Sequence, residues 1–87
     1  MTTEERKRLK KAMLAQRKRA RQRGISWQLT EAEWFEFWEE DDRWRNRGTG
    51  AENFVMSRKG DVGPYSIENI VCQTQRANGY ECRDRAK

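Results

Sequence analysis

Hydrophobic and polar positions change rhythm several times along this chain, and each change marks a predicted element. Residues 3–23 contain no Gly or Pro and consist largely of helix formers. Leu9, Ala12, Met13 and Ala20 give them only a thin apolar stripe. The stripe predicts a helix that buries little, docked lightly at its C-terminal end or ordered only with a partner. Gly24 stops it, where a C-terminal cap favours a residue that tolerates positive φ. Ile25 to Leu29 alternates apolar with polar, the pattern of a short extended segment. Thr30 and Glu33 then form a capping-box pair, with Leu29 and Trp34 placed for the accompanying hydrophobic staple. A helix over 31–41 follows, with Trp34, Phe35 and Trp38 on one face as core residues.

After that helix, Asp41 to Asn53 has no period and reads as an irregular connection, with Trp44 returning to the core. Phe54-Val-Met56 is a strand, Lys59 to Tyr65 a turn punctuated by Gly60, Gly63 and Pro64, and Asn69 to Thr74 a second strand. Thr74 caps a last helix over 75–84, which Gly79 weakens. The expected fold is α+β: N-terminal basic helix, short strand, acidic helix, then a β-hairpin and a C-terminal helix. We divide the chain into a basic helical arm, 1–23, and a small α+β domain, 24–87.

Composition sharpens this outline. Hydrophobic residues make up 34% of the 87 residues and charged residues 38%, so the core is small and leans on four Trp and three Phe. The net charge of +5 is unevenly distributed. Residues 1–23 hold ten Lys or Arg against two Glu, and residues 31–42 hold seven acids and no base. A basic arm beside an acidic helix suits a polyanion on one surface and a second contact, or self-shielding, on another. Cys72 and Cys82, with no histidine in the chain, cannot supply a four-ligand structural zinc site or a disulfide framework. They suit two reduced thiols in a cytosolic protein more readily than a bridge. No apolar run is long enough for a signal peptide or a membrane span.

Three stretches could carry function. The first is the block Val55 to Asn78, strand, turn, strand and helix with polar residues at each junction. Its markers are Ser57-Arg58, Gly63-Pro64-Tyr65-Ser66, Asn69 and Asn78. Upstream stand Arg23-Gly24-Ile25, Leu29-Thr30 and Glu33-Trp34. Over residues 20–80 this pattern resembles the short HNH-type (ββα-metal) endonuclease domains of bacteriophage proteins. The resemblance implies an HNH-like hairpin and helix. In active members it also implies one divalent metal held by a first-strand Asp or His and a helix residue, a His that activates water, and an Asn that orients that His. Here Ser57 stands at the carboxylate position and is a poor ligand for a hard cation. Arg58 stands at the base position and cannot accept a proton at working pH, though it can hold a phosphate bidentately. Asp61 is the nearby carboxylate that could substitute as a ligand, or it shapes the turn. Asn69 and Asn78 fit either a catalytic or a local structural role, with Asn69 expected to tie turn to strand.

The second stretch is the basic arm, with ten bases and no acid across residues 6–23. Such a helix repels itself unless an anion neutralises it, and phosphate contacts would give salt-sensitive affinity. The third is the acidic series Glu31, Glu33, Glu36, Glu39, Glu40, Asp41 and Asp42. It reads as a solvated outer face, or else as an imitation of nucleic-acid phosphates or a dock for a basic host protein.

Together these features point to a phage or prophage protein of the host cytoplasm. It would bind double-stranded DNA or another nucleic acid on a catalytically degenerate HNH-like scaffold. The residues expected at phosphate are Lys10, Lys11, Arg17, Lys18, Arg21, Arg58 and Lys59. The reading needs no cofactor. One alternative is an inhibitor that binds a host or defence protein complex, of the anti-restriction or anti-CRISPR type. The other is a nickase using Asp61, Asn69 and Asn78 around Mg²⁺ or Mn²⁺.

Overall fold

Thr2 opens the first helix. Its hydroxyl accepts from the Glu5 amide at 3.1 Å, and Glu5 Oε1 accepts from the Thr2 amide at 2.7 Å. This second capping box starts α1, Thr3–Gln22, in a computed structural model that describes residues 1–78. The helix ends at Arg23. Gly24 follows with φ +71°, and the Ile25 amide returns to the Ala20 carbonyl at 2.8 Å, the cap that glycine was expected to provide.

Thr30 caps α2, Glu31–Glu39, through the anticipated pair: Glu33 N to Thr30 Oγ1 at 3.1 Å and Thr30 N to Glu33 Oε1 at 2.9 Å. The helix stops two residues short of the expected end. Asp41 and Asp42 take left-handed backbone angles, φ 52° and 53°, within a kinked 3₁₀ segment, Glu40–Asn46. Asp is among the few non-glycine residues that tolerate this region. The presumed structureless connection is therefore half ordered, and Trp44 does pack against the core.

Phe54–Arg58 (β1) and Ile70–Thr74 (β2) form a two-stranded antiparallel sheet, in register from Phe54 opposite Thr74 to Arg58 opposite Ile70. The segment expected as a short strand, Ile25 to Leu29, makes a single bridge at Trp27 to Tyr65. Gln28 N donates to Tyr65 O at 2.8 Å and Tyr65 N to Ser26 O at 2.9 Å. One turn of helix covers 75–78, with Thr74 Oγ1 accepting from Ala77 N at 3.2 Å. The rest of the helix expected over 75–84, and Cys82, lie outside the described residues. The architecture is α+β: basic helix, acidic helix, hairpin and short helix.

Trp34 and Trp38 are fully buried at the centre of the core, with Phe35, Phe37, Leu29, Met56 and Ile70 around them. Trp34 meets Phe35 and Phe37 meets Trp38 edge to face, at centroid separations of 5.3 and 5.0 Å. The thin stripe on α1 buries more than its composition suggested. Leu9, Met13 and Ala20 are all buried, and the Trp34 indole N–H donates to Gln16 Oε1 at 2.9 Å. An i, i+4, i+11 set lies on one side of a helix, so three small contacts suffice to seat it along most of its length. Among the described residues, no helix is long and apolar enough to cross a membrane.

Candidate nucleic-acid interface

The helix pairing decides which bases of α1 are available. Arg6 Nη1 lies 3.2 Å from Glu39 Oε1 and Lys10 Nζ 3.6 Å from Glu31 Oε1, while the Arg6 guanidinium sits 4.3 Å over the Phe35 ring. Two acids of α2 are therefore turned to α1 rather than presented as an unbroken acidic face. Lys7 approaches Glu4 at 3.9 Å. The other bases of α1, Arg8, Lys11, Arg17, Lys18, Arg19 and Arg21, are exposed and have no carboxylate within 4 Å among the described residues.

Helical spacing sorts these free bases. Lys11 and Lys18, seven apart, stand about opposite buried Met13 and Ala20 and form the crest of the helix. Arg17 and Arg21 lie on the flank beside Trp27 and line a shallow cleft with Gly24, Ile25 and Ser26. Lys10, expected at phosphate, is exposed but paired with Glu31; Lys59 is exposed at the hairpin turn.

Arg58 is placed differently from its expected role at phosphate. Its side chain is only 8% exposed. Nη1 donates to Gly63 O at 2.7 Å, Nη2 pairs with Asp61 Oδ1 at 3.0 Å, and the guanidinium lies 5.6 Å from the Tyr65 centroid. The guanidinium that the sequence aims at a ligand thus braces its own turn. Asn69 braces the same turn: Nδ2 donates to Val62 O and Pro64 O, both at 2.8 Å. Gly63 lies between them with φ +82°, where a Cβ would press on Asn69 Nδ2. This is the tie between turn and strand expected of Asn69.

Ser57 faces the other way, because successive strand residues point to opposite sides. Its hydroxyl donates to Asn78 Oδ1 at 3.0 Å. The residues at the presumed nuclease positions therefore form two groups, Ser57 with Asn78 and Arg58 with Asp61 and Asn69. The first is a pair of neutral oxygen donors, which fit a hard divalent cation poorly. In the second, the Asp61 carboxylate is engaged by a guanidinium. No cluster of three or more His, Cys, Asp or Glu among the described residues suits a metal ion.

The most unexpected arginine is Arg47, in the stretch whose lack of period hid it. Its Cζ lies 5.4 Å from the Trp38 centroid and 5.9 Å from that of Trp34. Its Nε is buried without a hydrogen-bond partner among the described residues. Burial and then the charge of Arg19 push its pKa below the usual arginine value. Arg19 and Arg23 face it across a cleft on the flank of α1 opposite Arg17 and Arg21. Sequence reasoning counted both within the basic arm, and named Arg23 besides only as part of the upstream Arg23-Gly24-Ile25 marker.

Compared with protein-family models, with curated proteins and with solved structures, the chain finds no match.

Proposed function

We propose that this chain is a DNA-binding protein, of the kind carried by phages and prophages in the host cytoplasm, built on an HNH-like scaffold without the cutting residues. One observation carries the binding half of this reading. Where α1 meets α2, Arg6 and Lys10 pair with Glu39 and Glu31, while Lys11, Arg17, Lys18 and Arg21 are exposed with no carboxylate within 4 Å among the described residues. A rigid cationic helix held on a packed core suits the phosphate backbone, where neutralised phosphates release counterions.

The scaffold half rests on the antiparallel hairpin and the helical turn after it. The chemistry of Ser57 and Arg58 favours holding over cutting. Duplex DNA at about 50 mM salt, a regime in which backbone contacts dominate, is the test, read by fluorescence anisotropy. Saturable binding is expected, and its absence overturns the reading.

A further inference from the structure

We propose that the cleft between Arg19 of α1, Arg23 at the cap of that helix and Arg47 of the loop before β1 is a binding site for a phosphate group. The cleft encloses about 300 Å³, and no carboxylate lines it among the described residues. Three arginines line this one hollow, and no carboxylate among the described residues lines it to offset their charge. Packing does not require arginine at 19 or 23, since both are exposed. Arg47 lies beside Trp34 and Trp38, its Cζ 5.9 and 5.4 Å from their ring centroids, and no carboxylate pairs with it among the described residues.

The site is also fixed in place. Gln75 Nε2 donates to Gly48 O at 3.2 Å, and Asn53 Nδ2 to Asn46 O at 2.9 Å. Gln75 N donates to Asn53 O at 2.9 Å. These bonds tie the loop carrying Arg47 to the start of the last helix. Rigid placement lowers the ordering cost of binding. Thr49 and Gln16 add neutral polar groups to the wall. Planar guanidinium forks match the oxygens of a tetrahedral phosphate better than ammonium groups do, and all three charges here are arginine.

The site is separate from the crest formed by Lys11 and Lys18 and does not depend on duplex binding there. Its phosphate comes either from a free phosphate compound or from the end of a nucleic-acid strand. Titrating the full chain with inorganic phosphate, following tryptophan fluorescence and melting temperature, tests the site against sodium chloride at equal ionic strength. Phosphate is expected to stabilise the protein beyond the chloride control. The double change Arg19→Gln, Arg23→Gln, at two exposed positions that leave the core intact, should weaken phosphate at least about tenfold, the scale for losing charge-assisted bonds. Arg47→Lys should weaken it as well, and Lys11→Gln with Lys18→Gln should leave it unchanged.

Comparing a short single strand bearing a 5′-phosphate with the same strand lacking it separates the two sources. Tighter binding of the phosphorylated strand assigns the cleft to strand ends, and equal binding assigns it to free phosphate compounds. Identical responses to phosphate and chloride, or a phosphate response that survives the double arginine change, would overturn the proposal.

Discussion

Arg58 Nη2 and Asp61 Oδ1 meet at 3.0 Å inside the hairpin turn, with the arginine side chain almost wholly buried. Removing one partner of such a pair leaves a charge stranded out of water. Asp61 also sits at φ 57°, a region that Asn tolerates well, so Asp61→Asn removes the charge without adding backbone strain. We expect Asp61→Asn to cost about 3 kcal/mol in urea unfolding. Changing Arg58→Met in the same chain should recover part of that loss, because an apolar replacement leaves no stranded charge. An unchanged urea midpoint for Asp61→Asn would show that the pair does not hold the turn.

Ser57 and Asn78 are neutral, and the Ser57 hydroxyl donates a hydrogen bond to Asn78 Oδ1 at 3.0 Å. Millimolar Mg²⁺ or Mn²⁺, or their removal by chelator, is therefore expected to leave the melting temperature within error. Supercoiled plasmid incubated with either metal should stay supercoiled. Relaxation that disappears in Asp61→Ala would instead favour the nickase.

Gln16 accepts from the buried Trp34 indole and is a polar link between α1 and the core. Gln16→Leu deprives that N–H of its acceptor and should destabilise the fold by about 1–3 kcal/mol. A cost near zero by thermal denaturation would mean that α1 is seated by Leu9, Met13 and Ala20 alone.

These sites differ in how far they could be read before the structure was known. The Thr30–Glu33 box was legible because a cap is a local contact between residues three apart. The hairpin was legible because Gly60, Gly63 and Pro64 punctuate it. The seating of α1 was not, because it depends on complementarity with α2: Arg6 with Glu39, Lys10 with Glu31 and Gln16 with Trp34 join residues 18 to 33 positions apart. The burial of Arg58 was not legible because residue type gives chemistry but not direction. Whether its guanidinium meets solvent or Gly63 O depends on how the turn closes. Arg47 was invisible because its environment, two tryptophans from α2 and Arg19 from α1, is assembled entirely by tertiary packing.

Burial raises the pKa of the half-buried Cys72 thiol; Arg43 pulls it down and Glu40 pushes it up. The neutral thiol is therefore favoured in the fold. Its contribution to stability is present below the unfolded thiol pKa and fades as pH rises through the folded one. In a Cys82→Ser chain, alkylation of Cys72 by iodoacetamide should have its pH midpoint above about 8.5, the value for a free cysteine. A midpoint at or below that value would contradict the buried environment.

The central claim is that the crest and flank of α1 carry the phosphate contacts, and salt dependence tests it most directly. If Lys11, Arg17, Lys18 and Arg21 each neutralise one phosphate, the logarithm of the duplex association constant should fall with the logarithm of salt with a slope of about −3.6. Changing Lys18→Gln and Arg21→Gln together should bring that slope to about −1.8. Arg58→Met, which alters a buried group, should leave it unchanged. A slope indifferent to the Lys18 and Arg21 changes, or no duplex binding at low salt, would contradict the account.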